Sequence, residues 1–489
     1  MRLSDLTGAT ADALKSASAV LLDLITPTVR LGVTGLARSG KTVFITALVR
    51  NLVAGGRLPF FAAMAEGRIT RAYLEPQPDD SIPRFAYEEH LADLAKDPPR
   101  WPESTRRISQ LRVTIEYTPA AALRRALGPG RLHVDIVDYP GEWLIDLPLL
   151  EQSFADWSRR AVDEARAPQR ATAAKPWLAF LAALDADAPA DEQVALAGTA
   201  LFTRYLLDAR APDPELSAPG PGRFLLPGDL AGSPLLTFFP LPPSGGSAYP
   251  RGSLGAMLAR RFESYKTHVV QPFFRDHFAR LDRQIVLIDA LSAVNGGAAA
   301  LADLQRSMEA ILKCFRPGAS TWLSGVLPRR IDRLLFAATK ADHLHHTSHD
   351  RLEAILRLIA DRAIARAAFA GAEVKAMALA ALRSTREAEA RQGRQRLPCI
   401  VGVPLPGERL GARLFDGRTE AAVFPGDLPE DPASLTTQAV PAAGVDASVQ
   451  FLRFRPPRVT LETPSGDEPA LPHIRLDRAI QFLLGDRLA

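Results

Sequence analysis

Gly35-Leu36-Ala37-Arg38-Ser39-Gly40-Lys41-Thr42 decides how this chain reads. The octapeptide fits G-x-x-x-x-G-K-[ST] without a mismatch. Its glycines let the backbone wrap so that N–H groups converge on phosphate oxygens, and a following helix adds its positive end. The pattern assigns backbone contacts with phosphate to Gly35, Ala37, Arg38, Ser39, Gly40 and Val43. Lys41 would reach the β- and γ-phosphates, and the Thr42 hydroxyl would hold Mg²⁺. The flanks agree: residues 29–34 read as a short apolar strand, and 42–52 as a helix with Val43, Ala47, Leu48 and Leu52 on one face.

Two further motifs follow in order. Asp138-Tyr139-Pro140-Gly141 ends an apolar run at 132–137. A carboxylate ending a strand beside a P-loop can hold Mg²⁺ through water, and Gly141 supplies an N–H able to sense the γ-phosphate. His133 and Asp135 make that strand less apolar than a central strand usually is. Thr339-Lys340-Ala341-Asp342 closes another apolar run, 333–338. The Asp342 carboxylate can accept from guanine N1–H and the exocyclic amine, a donor pair adenine lacks. The Lys340 stem can cover the base plane. Only 8 of the 59 basic residues are lysine, so Lys41 and Lys340 stand out as positions that need lysine rather than mere charge.

In this order the three motifs resemble the TRAFAC-class P-loop GTPases. The long stretch between the last two, with Asp138-Tyr-Pro-Gly-Glu-Trp143, Trp101-Pro-Glu-Ser-Thr105, Thr339-Lys-Ala-Asp-His343 and Ile474-Arg-Leu-Asp-Arg478, is similar to the YcjX-like bacterial family over nearly the whole chain. The resemblance implies a nucleotide switch connected with envelope or phage-shock-type stress.

Such a switch needs a threonine ahead of its second strand to close on Mg²⁺ and γ-phosphate. Thr105 stands in that place, with Thr70 as a weaker alternative and helix capping as the competing role for Thr105. A backbone clamp on the base is expected after a strand at 376–382, in Ala381-Leu382-Arg383-Ser384, which departs from the usual S-A-K; Leu382 and Arg383 are the candidates. Small GTPases place a water-orienting Gln after D-x-x-G, whereas this chain has Glu142, a water positioner or a structural ion-pair partner. Arg38 lies inside the loop, where large guanylate-binding-protein GTPases carry an arginine finger in cis; the competing reading is an exposed surface arginine. His343, His345, His346 and His349 invite a metal reading, yet spacing positions no further ligand, and a solvated or capping group suits them better.

Composition bounds the rest. At 489 residues, 47% hydrophobic and 23% charged, the chain is globular, with two or three domains expected. A net charge of +4 implies no nucleic-acid partner. Cys314 and Cys399 are too few for a disulfide scaffold or a four-cysteine zinc site and suit a reducing compartment. Charges interrupt every apolar run, so a cytoplasmic protein is expected. The expected architecture is α/β. A P-loop GTPase-like core spans 28–144 and 283–390, with a large helical and proline-rich insert at 145–282 and a small β-rich appendage at 391–470. An amphipathic helix at 1–27 and a docking helix at 471–489 flank these; the first lacks the basic flanks and aromatics of a membrane-surface helix. Residues 55–110 read as a loop with a short helix at 85–95, and 254–281 as one long helix.

The function expected from these motifs is Mg²⁺-dependent binding of GTP with slow hydrolysis to GDP. A protein partner would act through the insert, and a nucleotide-dependent dimer could push Arg38 inward. An ATPase, or a nucleotide-gated scaffold that barely hydrolyses, are the alternatives.

Overall fold

The computed structural model describes residues 26–489 apart from 37, 104–106, 127, 169, 211–219, 246–248, 314–330, 370, 393–394, 438–449 and 462–468. The expected N-terminal helix, Ala37, Thr105 and Cys314 lie outside the described residues.

Seven strands form the central sheet: β1 (Thr28–Gly35), β2 (Ile69–Glu75), β3 (Ser109–Tyr117), β4 (Gly130–Asp138), β5 (Arg283–Ile288), β6 (Arg333–Ala338) and β7 (Glu373–Ala378). Their order is β2-β3-β4-β1-β5-β6-β7. Pairing is parallel from β4 through β7, while β2 and β3 run antiparallel. The chain leaves β1 toward one edge and later returns to build the other, so the order switches at β1. Ligands of open α/β sheets sit at such a point, beyond the carboxyl ends of the strands.

Alternation along the strands explains the layers. Val29, Leu31 and Val33 of β1 and Leu335 and Ala337 of β6 face one core, with Phe44, Ile45 and Leu48 of the helix Lys41–Val53 and Ile480 and Leu483 of the helix Leu476–Leu484. Leu334, Phe336 and Ala338 face the other, with Leu352, Ile355 and Ile359 of the helix His349–Phe369. That second core continues into the helices after β4, where Trp157 stacks on Phe262 at 4.9 Å and Trp177 on Tyr205 at 5.2 Å. A strand buried on both faces must be apolar at every position, which is why β5 and β6 read as unbroken apolar runs. Arg283 and Gln284 are the exceptions in β5: the buried Arg283 guanidinium donates to Leu483 O and Asp486, tying the C-terminal helix beneath the sheet, and Gln284 donates to the Tyr139 hydroxyl.

The polar positions of β4 have a structural cause. Asp135 is fully buried and takes both arms of Arg112 from β3, at 2.6 and 2.8 Å. His133 Nδ1 lies 2.8 Å from Thr114 Oγ1 on the same face. Cross-strand register places these partners opposite one another. Removing one partner leaves a buried charge uncompensated, so Arg112→Ala should destabilise the protein by roughly 3 kcal/mol. Thermal or urea unfolding would read this directly, and an unchanged midpoint would contradict a dry Asp135.

Several local expectations need correction. The region 55–110 holds β2 as well as the helix Tyr87–Ala95; β2 is an edge strand with a mixed face, so its sequence shows little alternation. The expected helix at 254–281 breaks at Lys266–Val270, a π-type turn before Pro272, and continues as Gln271–Asp276. The run opening the helical stretch, Gly141–Glu151, is 3₁₀-like and contains Pro148. The strand expected at 376–382 is β7, three residues earlier. Beyond it a small antiparallel sheet joins Arg386–Gln392, Gln395–Gly402 and Ala421–Val423 over its own core of Ile400, Phe415, Leu452 and Phe454. No helix among the described residues is long and apolar enough to cross a membrane.

Candidate functional site

Every motif falls at the carboxyl edge of the sheet. Gly35 ends β1, Asp138 ends β4 beside Val33, Thr339 follows β6 and Leu382 lies just beyond β7. Lys41 and Thr42 of the first motif and Thr339, Lys340, Asp342 and Leu382 line a cleft of about 370 Å³, within the range of small-ligand sites, whereas Gly35, Asp138 and Gly141 are not among its lining residues.

At one end lies the glycine loop. Gly40 has φ 86°, and a Cβ there would meet nothing within 4 Å, so the backbone faces open space. Arg38 also adopts a left-handed conformation, φ 62°, and its exposed side chain lines the cleft. Arginine gains nothing intrinsically from that backbone region, so the loop's wrap imposes it. Lys41 is buried, and its Nζ donates to Gly35 O at 2.7 Å. Ser39 Oγ is buried without a hydrogen-bond partner. Thr42 Oγ1 donates to Glu103 O at 3.3 Å, which brings the segment just before Thr105 over the loop. Asp138 is buried on the adjoining strand end. Gly141 packs so tightly on the loop that a Cβ would come within 2.2 Å of Gly35 O.

The far end is built by Thr339-Lys340-Ala341-Asp342 and the loop after β7. Thr339 N donates to Ile288 O at 2.9 Å, and Ala341 N to Leu379 O at 3.1 Å, so backbone bonds to two neighbouring strands hold this turn. Lys340 takes a left-handed φ of 61° and pairs with Asp289 at the end of β5. The Asp342 carboxylate accepts from Ser384 N at 2.8 Å and Ser384 Oγ at 2.6 Å. Both donors reach the same oxygen, Oδ2, and fix the carboxylate plane. Leu382 lines the cleft, whereas Arg383 donates to Thr385 O.

A glycine loop after β1, an aspartate ending the neighbouring strand β4 and a carboxylate held by Ser384 all lie at this edge of the sheet. The YcjX-like family, DUF463, matches residues 29–488. This chain belongs to that family. Among curated relatives it is similar to the "Ras-like GTPase YcjX" of Escherichia coli (strain K12), 39% identical over 469 residues, covering 94% of this chain and 96% of the relative. It is also similar to the "Ras-like GTPase YcjX" of Shewanella oneidensis (strain MR-1), 34% identical over 477 residues and 94% of each chain. Membership of the YcjX-like family makes this a GTPase-like protein with the mixed α/β sheet described above.

In this YcjX-like chain the cleft has walls the sequence did not disclose. Phe454, Arg453 and Leu405 come from the small β-rich region and line it. Trp101 Nε1 donates to Phe454 O at 2.7 Å, and Phe454 meets the His343 ring edge-on at 5.1 Å. Their separation along the chain, more than 350 residues between Trp101 and Phe454, hides them from any motif. Ser384 and Asp289 were also missed as partners of the Thr339–Asp342 turn; a serine two residues past Leu382 was the available signal for the first.

The histidine group divides. His343 and His349 are buried, with His349 Nε2 against Ala341 O at 2.8 Å, and burial pushes both imidazoles down in pKa. His349 thereby supports the Thr339–Asp342 turn, which His343 continues. His345 and His346 instead face Glu387.

The segment after Gly141 is latched to the helical region. Glu142 is buried, and a Cβ on Gly222 would come within 1.9 Å of Glu142 O. Asp146, also buried, accepts from Gly222 N at 2.6 Å and Tyr265 Oη at 2.6 Å. Burial raises its pKa to about 6, while the Tyr265 hydroxyl and the Gly222 N–H favour the ionised form. Arg223 lies 3.2 Å over the Trp143 ring. The strand-end motif therefore touches the phosphate loop on one side and the helical region on the other.

Proposed function

We propose that this protein binds guanine nucleotides, with Mg²⁺, and hydrolyses GTP slowly to GDP and phosphate as a conformational switch. The observation that carries the reading is Asp342: its carboxylate is held by Ser384 at one end of a cleft whose other end is the Gly35–Thr42 loop. Oriented this way it offers acceptor capacity to the guanine N1–H and amine. Lys340, held by Asp289, carries its stem beside the base, and Leu382 supplies apolar wall. The unpartnered Ser39 hydroxyl and the open backbone at Gly40 fit an anionic ligand in the loop. Lys41 would exchange Gly35 O for phosphate oxygens. Thr42, Asp138 and, outside the described residues, Thr105 are the donors suited to Mg²⁺, which supplies charge neutralisation between the β- and γ-phosphates. Gly141, packed on Gly35, would move with any shift in the loop. The Asp146–Gly222 latch would carry that movement into 145–282, where a protein partner would read it.

Base choice tests the proposal. GDP should bind about tenfold or more tightly than ADP, a difference of about 1.4 kcal/mol for a pair of charge-assisted hydrogen bonds. Asp342→Asn exchanges an acceptor for a donor and should move preference toward xanthosine diphosphate. Equal affinity of the native protein for ADP and GDP in calorimetric titration would overturn the guanine reading in favour of an ATPase.

A further inference from the structure

The strongest unassigned chemistry lies just outside the base turn. One ring nitrogen each of His345 and His346 and a Glu387 carboxylate oxygen lie within 4.8 Å of one another. His346 Nδ1 is 2.8 Å and His345 Nε2 3.9 Å from Glu387 Oε2. Zinc takes His nitrogen and carboxylate oxygen at about 2.0–2.2 Å, which puts tetrahedral donors about 3.3 Å apart. The two observed separations bracket that value. Two imidazoles and a carboxylate leave a fourth position for water, the donor set of an open transition-metal site.

The supports are in place around these donors. His346 N donates to Glu387 Oε1 at 3.2 Å, which turns the other carboxylate oxygen toward the rings. Thr347 Oγ1 lies 3.0 Å from His345 Nδ1. A proton on Nδ1 shared with that hydroxyl leaves Nε2 bare toward Glu387; the competing Thr347 N–H contact, at 3.5 Å, is the weaker one. Hydrogen bonding of the far ring nitrogen is how proteins orient metal-ligating histidines. His345 is largely covered, 14% exposed in its side chain, while His346 is 63% exposed, so an ion could enter from solvent.

The position matters as much as the donors. His345 and His346 follow Asp342 by three and four residues, and Glu387 follows Ser384 by three. Asp342 and Ser384 are the hydrogen-bonded pair that joins the two base loops. We propose that His345, His346 and Glu387 bind a divalent transition-metal ion, of which zinc is the probe, and that the ion clamps the two base loops together. Cross-linking the loops removes freedom that nucleotide binding would otherwise have to remove, so ion and nucleotide bind with positive coupling. The coupling, though not the ion site, rests on the guanine-nucleotide reading above.

The full-length protein, freed of metal and nucleotide, should take up a single Zn²⁺ by calorimetry or chelator competition. Co²⁺ in its place should show the visible absorption of a tetrahedral site. His345→Ala, His346→Ala and Glu387→Gln should each weaken Zn²⁺ binding by about tenfold or more. The exposure of His346 makes its variant a safe one for folding, and far-ultraviolet circular dichroism checks all three. At fixed Mg²⁺, Zn²⁺ should tighten GDP about fivefold or more in the native protein and leave the His346→Ala affinity unmoved. No Zn²⁺ uptake by the native protein, or uptake indifferent to all three substitutions, overturns the site. Uptake lost in the variants with GDP affinity unchanged by Zn²⁺ keeps the ion site and overturns the clamp. Failure of the nucleotide reading shows separately, as absence of GDP preference with or without Zn²⁺.

Discussion

Arg38→Ala should lower GTP turnover by about 10³–10⁵ while leaving GDP affinity within a few-fold, the effect of losing an arginine finger. The chain has no glutamine after Gly141, so some other group must offset charge as the β–γ bond breaks. Arg38 is a cation inside the phosphate-wrapping loop, exposed and on the wall of the cleft. Its left-handed backbone is a conformation glycine would adopt more readily, so an arginine there points to a role for the side chain. A guanidinium swung over the bridging oxygen would act only on the transition state, which is why rate and affinity should separate. Arg38→Lys, which keeps the charge and loses the planar fork, should recover little of the rate. Glu142→Ala is the matched control: Glu142 is buried beneath the Gly222 contact, and a larger loss there would make its carboxylate the water positioner. If neither substitution slows hydrolysis, and native turnover barely exceeds background, the protein is a nucleotide-gated scaffold. Single-turnover measurements with GTP would separate chemistry from product release.

Lys41→Ala should abolish measurable nucleotide binding, weakening GDP by about a hundredfold or more, since it removes the one point charge that the motif aims at the β- and γ-phosphates. The structure adds a second consequence. Lys41 is buried and bonded to Gly35 O, so the substitution also removes an internal hydrogen bond worth about 1 kcal/mol. A small fall in melting temperature is therefore expected without ligand. The larger difference should come with ligand: at GDP a hundred times the native Kd, the native protein gains about 2.7 kcal/mol, and Lys41→Ala about 0.4 kcal/mol or less. A variant stabilised by GDP as much as the native protein would contradict the assignment of the loop.

Both predictions lean on features with different visibility. Gly35–Thr42, Asp138, Gly141 and Thr339–Asp342 were legible because each motif is a continuous run that keeps its spacing in the sequence. The apolar runs of β5 and β6 were legible because a strand buried on both faces leaves no other composition open to it. Leu382 and Arg383 were named as candidates for a backbone clamp on the base; in the structure Leu382 lines the cleft, Arg383 donates to Thr385 O, and Ser384 holds Asp342.

What the sequence alone determined is the set of motifs and their order: a glycine loop, then Asp138 and Asp342, each closing an apolar run. Tertiary structure alone decided which distant residues complete it. Trp101 and Phe454 meet over the cleft, Asp289 takes Lys340, Asp146 latches onto Gly222, and Glu387 comes up against His345 and His346. Local patterns report the periodicity of one element and the conformation of one turn. Contacts between elements depend on how strands are ordered and how loops are packed, and in this chain the order switches at β1. No spacing rule links positions that only a shared core and a sheet edge bring within hydrogen-bond distance.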